Sequence, residues 1–297
     1  MTALSVAVFI SGCLGLLGAT ANVSARIERF LVTRDQTERV GLTLQAAMSA
    51  PVNIVREGPQ SFIDNPLRYD YEAAFNALRA LEPQFAVGSS LEMATFIFFP
   101  MIFFIYGCSL AVADLRHGLL KQRFELENPR AVFIGKMTIS VVLPSVSILL
   151  ATAILSGLAM LIRAFVESGG PETFPYAVTY SPTASNPVMQ VAFSALVAVF
   201  FCLIGLFVGA ASRMLLVPSL ACILVLMMVP FAGGGDPRNL MATIGRGVFN
   251  YWSGFNPNLP LPADSWLLWT PTVVMMSALG AGSFMVWLLR SKSVKVG

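Results

Sequence analysis

The chain has 297 residues, of which 56% are hydrophobic and only 12% are charged. Soluble globular proteins carry about 25% charged residues, so this composition excludes an ordinary soluble domain and predicts an integral membrane protein. The net charge of +3 says little in total, and we expect no nucleic-acid partner; the positions of the charges are more informative.

Six apolar stretches are long enough to cross about 30 Å of hydrocarbon as helices. None of them contains Asp, Glu, Lys, Arg or His. Their predicted bounds are about 4–21, 93–113, 137–162, 188–211, 214–232 and 267–289. We therefore predict an all-α integral membrane protein, a bundle of six transmembrane helices that forms one domain over residues 1–297.

The first predicted span begins almost at Met1. A cleaved signal peptide is the alternative, because Ala19-Thr20-Ala21 resembles a small-residue cleavage site. However, no positive charge precedes the apolar run, and its removal would leave five spans and an outside N-terminus. We therefore favour a retained span.

Residues 22–92 form a polar segment with seven Arg and nine Asp or Glu. We predict a small helical insertion on the extracytoplasmic side, with an amphipathic piece over about 37–48 and a second helix between Pro66 and Pro83. Asp70 is the predicted N-cap of the second helix. Apolar residues recur there at helical spacing: Tyr71, Ala74, Phe75, Leu78 and Leu81. Ligand capture and a structural lid on the bundle are both open, and we favour the lid.

Residues 114–136, here called the basic segment, carry five positive and three negative residues between the second and third predicted spans. Arg213 lies in the turn between the fourth and fifth spans, and the tail after the sixth adds three basic residues and no acid. Short loops rich in Lys and Arg face the cytoplasm. This pattern predicts a multi-pass protein of the cell membrane with the basic segment and both termini inside.

Two further outer loops are predicted. Residues 163–187 are rich in Pro, Gly, Ser and Thr and are expected to be irregular, with Arg163 extending to the interface rather than binding a partner. Residues 233–266 contain Tyr251, Trp252, Phe255 and Trp266, which predict a segment at headgroup level with a short re-entrant or interfacial helix over 238–253. Substrate exit is the alternative role of this loop.

No catalytic constellation is visible, and the chain itself is not expected to be an enzyme. His117 is the only histidine, which removes most metal sites and the Ser-His-Asp triad. The four cysteines lie in four different apolar runs without CxxC spacing, so we expect neither a disulfide nor a metal site. Gly135-Lys136-Met137 lacks the first glycine and the Ser or Thr of a phosphate loop, so no ATP site is predicted.

The charge-free spans indicate where the energy for any transport would come from. Carriers driven by protons or ions generally place ionisable groups near the bilayer midplane. The predicted spans offer Gln190 and scattered Ser, Thr and Tyr instead. We therefore expect the energy source to lie outside the membrane bundle.

Small residues predict two close helix contacts. Ser11, Gly15 and Ala19 fall on one face of the first span. Gly205 and Gly209 form a GxxxG pair in the fourth span, which would pack either within the bundle or against a second subunit. The sequence does not decide between these two partners.

The layout of one span, a sizeable outer loop, a second span, a basic segment and four more spans resembles the membrane subunit of ABC-2 type transporters, the type V exporter permeases. In that family the second span ends in an acidic residue, three variable residues and Gly-Thr-Leu-Lys, followed by a Pro/Ser-Arg step and a Lys at the start of span three. The matching residues are Asp114, Gly118, Leu120, Lys121, Pro129, Arg130 and Lys136. Leu119 stands where Thr is usual and Asp114 where Glu is usual. Family members usually begin with a basic elbow helix, whereas this chain starts directly with its first span.

The resemblance implies that the basic segment is a coupling helix resting in a groove of a separate nucleotide-binding ATPase subunit. The residues implied in this coupling are Asp114, Leu115, Arg116, Gly118, Leu119, Lys121, Arg123, Arg130 and Lys136. ATP and Mg²⁺ would sit on the ATPase, so no cofactor is implied for this chain. Two permease subunits, identical or related, would enclose the path within membrane lipid.

The predicted function is therefore the permease subunit of an ATP-driven exporter that moves an amphipathic substrate, a drug, peptide or lipid-like compound, outward. The alternative is a membrane scaffold or sensor that transports nothing and binds a ligand in residues 22–92. The sequence names neither the substrate nor the residues that bind it.

Overall fold

The structure, a computed structural model, describes residues 2–57, 60–116, 129–168, 174–175, 186–228, 237–251 and 282. These residues are mostly helical. Four of the described helices are long and apolar enough to cross a membrane, so the chain is a multi-pass membrane protein. The four are Thr2–Arg39, Pro83–Ala113, Ala131–Val166 and Pro187–Ser212.

The described elements follow one another as ten helical segments and one hairpin. They are α1 (Thr2–Arg39), α2 (Leu44–Ser49), β1 (Ile54–Glu57), β2 (Gln60–Ile63), α3 (Pro66–Arg79), α4 (Pro83–Met93), a π-helical turn (Ala94–Phe98), α5 (Phe99–Arg116), α6 (Pro129–Ser168), α7 (Pro187–Ser212), α8 (Leu216–Met228) and α9 (Pro237–Gly245).

The first helix is twice as long as the predicted span 4–21. At 1.5 Å per residue the 38 residues of α1 extend about 57 Å, well beyond the hydrocarbon layer. Its polar second half enters the insertion, where Phe30 is fully buried. The predicted amphipathic piece over 37–48 is wrong, because α1 ends at Arg39 and a separate short helix, α2, follows.

The insertion is built on this extension of α1. Phe30 packs with Ala47 of α2 and with Leu67, Tyr71 and Ala74 of α3. Asn65, not the predicted Asp70, is the N-cap of α3, since its side chain accepts a hydrogen bond from the Arg68 backbone N–H. The strands β1 and β2 pair antiparallel, so the insertion is not purely helical as predicted.

Asp70 instead holds α3 against α1. Its carboxylate is buried, accepts a 2.7 Å hydrogen bond from Thr33 and lies 3.1 Å from Arg29 Nε. A buried carboxylate is stable when it is hydrogen-bonded and paired in this way. The insertion is therefore fixed to the first membrane helix by polar as well as aromatic contacts.

The second span is longer than its predicted bounds of 93–113. The helix begins at Pro83 and continues to Arg116, interrupted only by the π turn, in which the Phe99 N–H bonds to the carbonyl oxygen of Ala94. Proline is well suited to the first position of a helix because it has no N–H to leave unpaired. The ten additional residues bring Glu92 into the bundle, which corrects the prediction of charge-free spans.

The remaining spans agree with their predictions to different degrees. Helix α7 differs from the predicted 188–211 by one residue at each end. The predicted fifth span is represented by α8, whose 13 residues reach Met228. The predicted sixth span, 267–289, lies outside the described residues except for Gly282.

The core of the bundle forms where α5 packs along α7, with α1, α4 and α6 around them. The polypeptide gives the bundle two distinct ends. The insertion end carries α2, α3 and α9, and the basic end carries the ends of α5, α6 and α7 that adjoin the basic segment.

Candidate functional site

The basic end is the first candidate, because the resemblance places the coupling residues there. Helix α5 ends at Arg116 and α6 begins at Pro129, so both ends of the basic segment are anchored in long membrane helices. Residues 117–128, which include Gly118, Leu119, Lys121 and Arg123, lie outside the described residues. Asp114, Leu115, Arg116 and Arg130 lie in the helical backbone of α5 or α6.

Lys136 is the coupling residue whose surroundings are described. It is only 7% exposed, and its ammonium donates a 2.6 Å hydrogen bond to the carbonyl oxygen of Leu110 in α5. A buried ammonium needs such acceptors to offset its desolvation. Lys136 therefore ties the first turns of α6 to α5 at the base of the bundle.

An apolar cluster lies next to this contact. Ala111 of α5 is buried against Leu206 and Ala210 of α7, and Leu110 and Met137 pack onto these residues. Three membrane helices thus meet directly beside the two ends of the basic segment. A displacement of that segment would act on all three helices at once.

The small residues predicted to mediate packing lie at helix contacts within the chain. Ser11, Gly15 and Ala19 are buried on α1, and a methyl group at Gly15 would lie 2.5 Å from the carbonyl oxygen of Ser90. A methyl group at Gly205 would overlap the Phe104 carbonyl, and one at Gly209 would lie 2.8 Å from the Cα of Cys108. Of the two partners left open, the GxxxG pair therefore faces α5 of the same chain.

The insertion end holds a buried polar cluster that sequence reasoning missed. Glu92 is 2% exposed at the C-terminal end of α4, immediately before the π turn. In the helix Pro83–Ala113 it lies six residues, about 9 Å, from the middle. A buried ionisable side chain in a membrane-spanning helix is costly and is a candidate functional group.

Gly88 and Thr95 lie four residues before and three residues after Glu92, on the same face of this helix, and both meet polar side chains of α7. Thr95 and Ser194 are both fully buried and their hydroxyl oxygens lie 2.7 Å apart. Gln190 of α7 donates through Nε2 to the Val248 carbonyl at 3.2 Å, and its amide fills the space left by Gly88. π turns recur at functional sites because they interrupt the regular helical ladder.

The segment after α9 closes the cluster at the insertion end. Phe249 is buried against Phe96 of the π turn and Phe193 of α7, with ring centroids 5.9 and 6.0 Å away. The predicted helix over 238–253 is thus shorter, Pro237–Gly245. Its Met241, Ala242 and Ile244 are buried, so this helix packs against the bundle.

Tyr251 has an unusual backbone at this site. Its φ is +53°, a left-handed conformation that is uncommon for a non-glycine residue. Its hydroxyl oxygen is buried and has no hydrogen-bond partner among the described residues. Burial raises the pKa of Tyr251, and the Glu92 carboxylate raises it further, opposed by Arg246. Strained residues of this kind concentrate at functional sites.

Sequence reasoning missed this cluster because the span was begun at residue 93, just after the last charge. The signal that would have found it is the uninterrupted helical stretch from Pro83, since no second proline occurs before Pro100. A proline at the first helical position predicts a start there even when a charge follows nine residues later.

The expectation that Arg163 binds no partner is also wrong. Its Nη1 lies 3.5 Å from Glu82 Oε1, and Arg79 Nε lies 3.7 Å from the same oxygen. All four cysteines are free thiols. The described residues contain no group of three or more His, Cys, Asp or Glu that could hold a metal ion.

The chain matches no protein-family model, no curated protein sequence and no solved structure. Its class is therefore defined by the fold alone, as a helical multi-pass membrane protein.

Proposed function

We propose that this chain is the permease subunit of an ATP-driven exporter of amphipathic compounds, and that a separate ATPase subunit drives it through the basic segment. The observation that carries the proposal is the junction at the basic end. There Lys136 bonds to Leu110, and Ala111 of α5 packs with Leu206 and Ala210 of α7 and with Met137 of α6, so three membrane helices are joined.

This junction suits a mechanical input. The basic segment leaves α5 at Arg116 and enters α6 at Pro129; α5 continues the helix that begins at Pro83, and α6 has 40 residues. Protein interiors are close-packed and transmit displacement rather than absorbing it. A partner that pushed the segment would therefore shift α5, α6 and α7 together, as the coupling of ATP hydrolysis to transport requires.

The partners follow from the same proposal. The ATPase would contact the segment through its basic residues, which also suit lipid phosphates. A second permease subunit would complete the path. Glu92 qualifies the argument from charge-free spans, because an acid within the bundle is also what an ion-driven carrier uses. The energy source must therefore be tested directly.

Charge reversal in the basic segment tests the coupling. Arg116→Glu with Lys121→Glu is expected to reduce ATP-dependent transport in proteoliposomes at least tenfold while the ATPase still hydrolyses ATP. Arg213→Glu is the control, since it reverses one positive charge at the basic end outside the segment, and it should retain transport. Equal losses of transport in the test variant and the control would mean that the basic residues act through attraction to lipid and not through coupling.

The alternative, a sensor that transports nothing, predicts a different outcome for these two variants. A non-transporting sensor would move no substrate under any ATP condition, and both variants would match the wild type. The insertion would then respond to a ligand through the contacts of Phe30 and Tyr71 with Phe174, whose rings lie 6.1 and 5.5 Å away.

A further inference from the structure

Helix α6 has a weak point in its interior. Pro144 is the sixteenth of its 40 residues and is buried, and because proline has no N–H, the helical partner of the Ser140 carbonyl is missing. The Ser140 hydroxyl donates to the Lys136 carbonyl at 2.8 Å, one turn before the proline. The Ser145 hydroxyl, directly after the proline, donates to the Val141 carbonyl at 2.8 Å. Proline and serine bonds of this kind both bend helices, so α6 bends most easily at Pro144.

The first part of α6, residues 129–143, is held by α5 and α7. Lys136 donates to the Leu110 carbonyl of α5 at 2.6 Å. Met137 packs onto the apolar cluster that α5 and α7 form together. These contacts join the first part to the pair of helices whose backbones touch through glycine.

The second part of α6, residues 145–168, is attached elsewhere. Ser147 Oγ lies 3.3 Å from Ser5 Oγ of α1. Leu155 packs directly onto Gly12 of the same helix. Helix α1 in turn packs against α4. The two parts of α6 are therefore attached to different sets of helices, and the change occurs at the proline.

A groove lies between the second part of α6 and α7. It begins next to the proline, because Ser145 and Leu149 line it on α6, while residues between Pro187 and Ala195 line it on α7. Close-packed helices cannot approach one another further, whereas this groove leaves room for the second part of α6 to move toward α7.

The second span is interrupted at the same height. Helices α6 and α7 run in opposite directions, so Ser145 and Ala195 mark the same end of the groove. Ser194, the residue before Ala195, places its Oγ 2.7 Å from Thr95 Oγ1 in the π turn. Both interruptions thus lie beside one turn of α7. A π turn allows a helix to kink, so α4 can bend relative to α5 at this height as well.

We propose that the bundle is hinged at Pro144 and the π turn. The second part of α6 moves with α1 and α4 against a body formed by α5, α7 and the first part of α6. This motion narrows and widens the groove. It exchanges side-chain hydrogen bonds between the two bodies and leaves the glycine contact of α5 with α7 intact. The hinge is independent of the proposed export function, because it depends only on contacts within this chain.

The distance across the groove tests the hinge. Spin labels are introduced as non-canonical amino acids, so that the native cysteines stay in place. One pair replaces Leu161 and Met189, exposed residues of α6 and α7 that do not line the groove. A second pair replaces Ile134 and Ala211, exposed residues of the same helices at the basic end. Double electron–electron resonance on the full chain in lipid nanodiscs without ATP should give a distance distribution at least twice as wide for the first pair as for the second.

Two proline variants show whether Pro144 causes this width. Pro144→Ala restores the missing N–H and should narrow the distribution across the groove at least twofold. Pro218→Ala is the matched control, because Pro218 is also buried but is the third residue of α8, where an N–H has no helical partner in any case. It should leave the distribution unchanged, while thermal unfolding shows that both variants are folded.

Three results would overturn the hinge. The first is an equal width for the two label pairs in the wild type. The second is an unchanged distribution across the groove in Pro144→Ala. The third is equal narrowing in Pro144→Ala and Pro218→Ala, which would mean that any loss of proline rigidifies the bundle.

Discussion

The two halves of the helix Pro83–Arg116 meet α7 in opposite ways. Toward the basic end, Gly107, Gly205 and Gly209 bring the two backbones into direct contact. Toward the insertion end, the contact is made by Thr95 with Ser194, and Gln190 bonds to the segment after α9. The π turn lies at the change from one kind of contact to the other.

This difference teaches how one helix pair can be both rigid and adaptable. Backbones that touch through glycine cannot slide without overlap, so the basic half transmits force as a unit. Hydrogen bonds between side chains can be exchanged for bonds to water or a ligand at a small net cost. Rearrangement of the bundle should therefore begin in the polar half.

The largest effect is expected from a methyl group in the glycine contact. Gly205→Ala places a Cβ against the Phe104 carbonyl, which must move, and should lower the free energy of unfolding by about 3 kcal/mol. Gly157→Ala is the matched control, because no described atom beyond its own helix backbone lies within 4 Å of the added carbon. Thermal unfolding in detergent compares the two, and equal stability would show that α5 and α7 are not in backbone contact.

An intermediate effect is expected at Glu92. Glu92→Ala removes a buried carboxylate and deprives the neighbouring polar groups of this partner. It should lower the free energy of unfolding by about 2 kcal/mol. Glu92→Gln preserves size and hydrogen bonding but not charge. If energy comes from an ATPase, the Gln variant should keep at least half of the ATP-dependent transport. Loss of transport with intact ATP hydrolysis would instead assign Glu92 a role in moving charge.

The smallest effect is expected for the hydroxyl pair. Thr95→Val and Ser194→Ala each remove one partner of a 2.7 Å contact. A double-mutant cycle on the free energy of unfolding should give a coupling of about 0.5–1 kcal/mol, typical of hydrogen bonds between membrane helices. Additive effects on the free energy of unfolding would mean that the two hydroxyls do not interact. The polar contact between α7 and the half of the helix toward the insertion end would then not be supported.

Hydropathy predicted the spans best where charges or prolines bound an apolar run on both sides. Helix α7 is such a case, since Pro187 precedes it and Arg213 follows it. Hydropathy failed to predict the end of a helix that continues through polar residues. No Gly or Pro occurs between Gly18 and Gly41, so α1 could continue to Arg39 although its second half is polar.

The candidate site was less predictable than the fold. The structure places Lys136 at a helix junction, but residues 117–128 lie outside the described residues and their coupling role stays a prediction. The polar cluster depends on three-dimensional proximity between residues about 100 and 160 positions apart, such as Thr95 with Ser194 and Glu92 with Tyr251. Local periodicity carries no information about such pairs.

The composition of the purified complex tests the central claim most directly. The tagged chain is isolated in mild detergent, its partners are identified by mass spectrometry, and the preparation is assayed for ATP hydrolysis and for ATP-dependent substrate movement in proteoliposomes. The account predicts a separate subunit with a phosphate-binding loop, present in equal number to the permease chain, and transport that requires ATP. A complex without an ATPase that moves substrate in the absence of ATP would contradict it.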